Sequence, residues 1–168
     1  MSENIERKVL WGELRRAELE EARRQRAVVL VPVGAIEQHG RHLPVDTDTH
    51  SVTEIALRAA RSLAEPRVLV VPTLPYGLSA HHMDFIGTIT LRFETLANLV
   101  TDVCRSIHAH GFRKIVLLNG HGGNTALLNA IAGTLVAEKI YVASLTYWTP
   151  IVAELKEIGK SALGGMSH

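Results

Sequence analysis

The stretch AVVLVPV, residues 27–33, is short, rich in β-branched residues and free of charge, the pattern of a strand buried on both faces of a parallel sheet. It runs into GAIEQHGRHLPVDTD (34–48), a polar segment too long for a tight connection. THSVTEIALRAARSL (49–63) then has helical spacing, with Thr49 or Ser51 as candidate caps. The same order recurs downstream. RVLVVPTL (67–74) reads as a strand and PYGLSAHHMDFIGT (75–88) as a loop punctuated by proline, glycine and serine, with TITLRF as a candidate short strand. Residues 94–110 read as a helix with Leu96, Leu99, Val103 and Ile107 along one side, closed by Gly111 as a C-terminal cap. KIVLLNG (114–120) is a further strand, Asn124 opens a helix running through LLNAIAGTLVAE, IYVASLTYW (140–148) is a strand, and Pro150 starts a last short helix. Upstream, WGELRRAELEEARRQR (11–26) reads as a solvated helix held by i,i+4 ion pairs, with Leu14 and Leu19 turned inward.

Strands alternating with helices call for an α/β fold, a parallel sheet with helices on both faces. Residues 1–168 carry no repeat, low-complexity tract or linker, so a single domain is expected. Hydrophobic residues make up 46% and charged residues 21%, the balance of an ordinary globular chain. A formal net charge of +1 without a basic stripe gives no electrostatic case for nucleic acid or an anionic membrane. No apolar run is long enough to span a bilayer. One cysteine, Cys104, cannot form an internal disulfide and reads as a small buried hydrophobe in a helix. With no signal-like start in MSENIERKVL, the cytoplasm is the expected location. The unusual feature of the composition is its nine histidines.

Ligands of open α/β sheets gather in the loops that leave the carboxyl ends of the strands. Two such loops are rich in metal-coordinating groups. The first holds Glu37-Gln38-His39-Gly40-Arg41-His42, followed by Asp46 and Asp48. In an extended segment Glu37 and His39 point the same way and can face one ion, with Asp48 folding back onto them. Carboxylates with imidazole suit Zn²⁺, Mn²⁺ or a similar ion, and no cysteine lies nearby to make a thiolate site. The plain alternative is a polar surface loop in which Asp46 and Asp48 cap the next helix. The second loop is Asn119-Gly120-His121-Gly122-Gly123-Asn124, whose glycines allow a sharp turn that brings His121 close to a site. A phosphate cradle is the competing reading, although the run matches neither the dinucleotide fingerprint nor the P-loop. A structural turn with Asn124 as N-cap is the bland one. A third loop carries His81, His82 and Asp84. Adjacent histidines point in different directions, so His81 and His82 read as a pocket wall rather than as joint ligands. Trp148, at a strand end, is a further pocket candidate.

The run Val33-Gly34-Ala35-Ile36-Glu37-Gln38-His39-Gly40, continued by His42-Leu43-Pro44 and Asp48, resembles the signature of the creatininase (creatinine amidohydrolase) family. Asn119-Gly120-His121-Gly122-Gly123-Asn124 is similar to its second signature, and residues 77–92 to its intervening loop. The resemblance implies a three-layer α/β sandwich around a mostly parallel sheet, and two divalent ions, zinc or manganese with iron as a further candidate. Glu37 and His39 would each bind one ion, Asp48 would bridge them, and His121 would complete one site. Members hydrolyse cyclic amides, formamides or modified peptides and assemble as homohexamers, so a small-molecule amide substrate and a homo-oligomer are expected. Gly123 stands where creatininase itself has a metal-binding glutamate. Relatives with glycine there take the carboxylate from a later His-Ala-Gly-Glu motif. This chain ends Gly164-Gly165-Met166-Ser167-His168, which resembles the approach to that motif, so a shortened chain is expected. His168 would be the general acid, Glu37 would share the catalytic work, and His81, His82, Gly122 and Trp148 would line the substrate pocket. The competing functions are a phosphate- or nucleotide-binding flavodoxin-like module and a catalytically inactive truncated subunit.

Overall fold

The structure is a computed structural model and describes residues 8–158. Four parallel strands, β1 (Val28–Val33), β2 (Val68–Val70), β3 (Lys114–Asn119) and β4 (Val142–Thr146), form one sheet in the order β2-β1-β3-β4. Five helices accompany them: α1 (Arg16–Arg24), α2 (Thr47–Ser62), α3 (Phe93–Ala109), α4 (Thr125–Leu135) and α5 (Val152–Ile158). This is the α/β class read from the sequence.

Alternation along β1 builds the layers. Val29, Val31 and Val33 pack into one apolar cluster with Leu96 and Val100 of α3 and Leu128 and Ile131 of α4. Val28 and Leu30 pack on the opposite face against the cluster holding Val52, Ala56 and Ala60 of α2. Leu14 and Leu19 also pack inward, as expected, and the ion pairs of Arg16 with Glu20 and Arg24 with Glu21 lie on the exposed side of α1.

Several local expectations change. The buried stripe of α3 is Leu96, Val100, Cys104 and Ile107, whereas Leu99 is 41% exposed. Spacings of four, four and three keep that row on one face, and the row through Leu99 drifts toward solvent. Neither Thr49 nor Ser51 caps α2, which starts at Thr47 after Asp46. TITLRF forms no strand: Ile89 and Thr90 make only isolated bridges, to Ile36 and Gly77. Gly111 does close α3, at φ +91, a conformation that suits glycine. Cys104 is fully buried, and burial pushes its thiol up to about 11. Among the described residues no helix is long and apolar enough to cross a membrane.

The topology sets the place of the site. β1 leads through α2 to β2 on one side, while β3 leads through α4 to β4 on the other. The loops leaving β1 and β3 therefore diverge, and a crevice opens between two neighbouring strand ends.

Candidate metal centre

At that crevice the two loops and the start of α2 are laced together. The Thr49 hydroxyl donates to the carbonyls of Ala35 (3.0 Å) and Pro75 (3.1 Å). The Asn124 amide donates to Gly34 O (3.0 Å) and accepts from Leu78 N (2.9 Å), so it joins the loops after β1, β2 and β3 rather than capping α4. Asn119 grips the backbone of His121 from both sides, donating to its carbonyl (2.7 Å) and accepting from its N–H (3.1 Å). Both asparagines are fully buried.

Held this way, Glu37, Asp48 and His121 converge, each offering a ligand atom within 4.8 Å of the others. His121 Nδ1 lies 3.1 Å from Glu37 Oε1 and 3.0 Å from Asp48 Oδ2. Its Nε2 lies 3.0 Å from the carbonyl oxygen of Leu78. A carbonyl only accepts, so Nε2 carries the proton and Nδ1 turns a lone pair on two carboxylates. His39 repeats the arrangement. Its Nδ1 faces the Glu37 carbonyl (3.3 Å), and its Nε2 lies 3.1 Å from Asp48 Oδ1. Asp48 thus offers one oxygen to each histidine, as its place in the first turn of α2 allows.

Lone pairs and carboxylates so close together require a cation between them. A proton can serve. Burial alone would lower the His121 pKa, but the Asp48 and Glu37 carboxylates and the Leu78 carbonyl raise it to about 9. Burial would likewise raise the Glu37 carboxyl, yet His121, Ser79 and His82 hold it at about 2. A divalent ion suits the same place, because the Glu37 and Asp48 carboxylates with the carbonyl-oriented His121 imidazole make a donor set such ions take. Around Asp48, His39 meets one carboxylate oxygen, and His121, which also meets Glu37, meets the other.

In the third loop the two histidine rings lie closer together than their adjacency in sequence suggested. Ala80–His82 is a turn of 3-10 helix, and there His81 and His82 do converge, with ring centroids 4.3 Å apart and ligand atoms within 4.8 Å of Glu37. His82 is buried, and burial lowers its pKa against the opposing pull of Glu37. His81 is exposed and stacks on His121 at 5.9 Å and 7°. It also lines an open cleft of about 680 Å³ with Leu78, Thr90, Arg92, Phe93 and Gly123. The cleft wall includes neither Trp148 nor Gly122. The Trp148 ring packs edge-on against Tyr147, and Gly122 begins a 3-10 turn whose next residue, Gly123, borders the cleft. Gly123 is a close-approach glycine: a Cβ there would lie 2.4 Å from His121 Nε2 and 2.4 Å from Leu78 O. Tyr147, not singled out in the sequence, is half-buried, with a pKa raised first by burial and then by the charge of Asp48. His168 lies outside the described residues.

The strand order and the carboxylate–imidazole cluster at its switch point define an α/β protein with a candidate metal centre. The sequence profile of the creatininase family, described as creatinine amidohydrolase, matches residues 12–168, and the chain belongs to that family. It is 39% identical over 117 residues to the mycofactocin precursor peptide peptidase of Mycobacterium tuberculosis, covering 66% of this chain and 46% of that protein. It is 33% identical over 133 residues to the creatinine amidohydrolase of Pseudomonas putida, covering 72% and 50%. The chain thus spans about half the length of these curated relatives. A solved manganese form of creatininase superposes with a TM-score of 0.80 at 30% identity, covering 94% of this chain and 66% of that one.

Proposed function

We propose that the chain provides the metal-binding core of an amidohydrolase that cleaves the C–N bond of a cyclic amide, formamide or modified peptide. Glu37, His39, Asp48 and His121 are its ligands, zinc or manganese its ion. The observation that carries this reading is the wiring of Asp48, with Oδ1 3.1 Å from His39 Nε2 and Oδ2 3.0 Å from His121 Nδ1. A divalent ion bound there lowers the pKa of a coordinated water to about 7 and polarises a carbonyl. The residues do the rest. Asp48 would hold the ion together with Glu37 and His121, and its other oxygen, 3.1 Å from His39 Nε2, would extend the donor set toward His39. Glu37, ionised far below neutral pH, keeps its negative charge throughout the working range. His81, exposed at the cleft, meets the substrate first. The departing nitrogen needs a proton, because an amide anion is a poor leaving group, and a histidine supplies one at neutral pH. The resemblance assigns that role to His168.

The buried Glu37 carboxylate and the partly exposed Asp48 carboxylate beside it oppose the phosphate-binding alternative, since they repel an anion at the switch point. We extend the proposal to self-association, supported by Met83, Phe85 and Ile86, exposed at 54%, 52% and 100% on the loop beside the site. Elemental analysis of the chain purified without added metal, paired with hydrolysis of creatinine-like lactams, formamides and short peptides, tests the function. Bound metal with turnover of one class supports it. Bound metal without turnover points to the inactive-subunit alternative, and absence of metal from the active protein overturns the ligand assignment. A monomer stable to dilution in light scattering overturns the self-association.

A further inference from the structure

Gln38 and His82 lie 44 residues apart in the chain and meet behind Glu37, with Gln38 Nε2 3.4 Å from His82 Nδ1. The other end of the Gln38 amide is fixed. Gly40 N donates to Gln38 Oε1 at 2.9 Å, and a backbone N–H only donates, so the carbonyl oxygen must face Gly40. The NH₂ group therefore faces His82 and donates to Nδ1. A neutral imidazole that accepts at one nitrogen carries its proton on the other. Nε2, the nitrogen facing Glu37 Oε1 at 4.0 Å, is the protonated one. That separation suits a hydrogen bond closed by a bridging water or a small side-chain shift.

His121 and His39 are wired the opposite way. Each sets one ring nitrogen against a backbone carbonyl, Leu78 O at 3.0 Å or Glu37 O at 3.3 Å, and so turns a lone pair toward carboxylate. Glu37, His81 and His82 offer ligand atoms within 4.8 Å of one another and look like a second metal site. For His82 to bind an ion through Nε2, its proton would have to move to Nδ1. Two donors would then face each other at the Gln38 contact.

We propose that Gln38 is a positioning residue that holds His82 as its Nε2–H tautomer, so that His82 directs a hydrogen-bond donor at the Glu37 carboxylate and stands outside the ligand set. The tautomer follows from the hydrogen bonds alone, while its consequence rests on Glu37 being a metal ligand. A ligating carboxylate held by such a donor keeps its orientation, and loss of an outer partner of this kind lowers metal affinity by roughly 10–100-fold.

The test is a two-bond ¹H–¹⁵N correlation of the imidazoles in the chelator-stripped chain, above the ordinary imidazole range, with His82 assigned by its loss in His82→Ala. The expected result is a proton on Nε2 and none on Nδ1. Gln38→Glu keeps the acceptor for Gly40 but replaces the NH₂ by oxygen, and Nδ1 should then gain a proton. A proton on Nδ1 in the unmodified chain, or an Nδ1 unchanged by Gln38→Glu, overturns the proposal. Zinc titration separates the consequence from the ligand reading. His82→Ala should weaken zinc by roughly 10–100-fold, and His82→Gln, with an amide NH₂ in about the place of Nε2–H, should restore most of it. Full affinity in His82→Ala overturns the effect on Glu37 with the tautomer intact. Full affinity in Glu37→Gln instead overturns the ligand reading.

Discussion

Two groups of histidines flank Glu37, and they differ in what holds their rings. His39 and His121 follow strand β1 and strand β3, and each rests one nitrogen on a main-chain carbonyl. His81 and His82 sit on a short 3-10 turn, and the nitrogen of His82 meets a side-chain amide instead. A main-chain acceptor leaves the far nitrogen of the ring as a lone pair, and a side-chain donor leaves it as an N–H. On the proposal above, the first pair is prepared for a cation and His82 for a hydrogen bond. Proximity to a carboxylate is common to both, so the partner on the remote side of the ring separates ligand from donor.

The sharpest way to break this comparison is Asp48→Asn, since Asp48 touches both members of the first pair. Zinc affinity should fall by more than the roughly 10–100-fold typical of outer partners, with the helix content of the chain preserved in circular dichroism. A loss no larger than that of His82→Ala would erase the distinction between the two groups. Next in size is Gly123→Ala, which drives a methyl between His121 Nε2 and Leu78 O. A cost of about 1–3 kcal/mol in denaturant unfolding is expected from the lost hydrogen bond and the crowding. Zinc should weaken in parallel, because the ring loses the contact that orients it.

The pH dependence of the metal-free chain sharpens the picture further. His121 has a raised pKa, so its contribution is complete below its ordinary value of 6.5 and is lost as pH rises through about 9. Glu37 has a lowered pKa, so its contribution is complete above 4.5 and is lost as pH falls through about 2. With chelator present, the melting temperature should therefore decline from pH 6.5 toward 9. Added zinc should remove that decline, since the ion replaces the proton at Nδ1. A flat profile without metal would show that His121 is not held between the carboxylates. The smallest effect belongs to His81→Ala. That ring is exposed and stacks on His121 without holding it, so zinc affinity should change by less than about 10-fold. Substrate KM is where a change should appear.

Much of this molecule is legible in its sequence. β1, β3 and the helices after them follow from apolar runs and glycine or proline punctuation. The candidate ligands follow from acidic and imidazole groups crowded at strand ends. Three things escape, each for a physical reason. Which row of α3 is buried depends on how that helix rolls against α4, and the apolar Leu99 offered a second row almost as good. The wiring of the histidines depends on contacts between residues far apart in the chain, such as Gln38 with His82 or Leu78 with His121. The role of Asn124 looked like a cap because asparagine favours that position, yet its side chain spans 90 residues of sequence to reach Gly34. Periodicity reports on neighbours along a helix or strand and is silent on partners brought together by the sheet.

That long-range tie of Asn124 has a kinetic side. The loops it joins leave three different strands, so the tie cannot form until β3 has docked beside β1. Contacts of such high sequence separation carry their loop-closure entropy before any reward and form late in folding. The cluster around Asp48 is accordingly a property of the completed sheet, with no counterpart in the unfolded chain. An ion bound there would favour the native state alone, shift the folding equilibrium by mass action, and slow unfolding without hastening the search that precedes it.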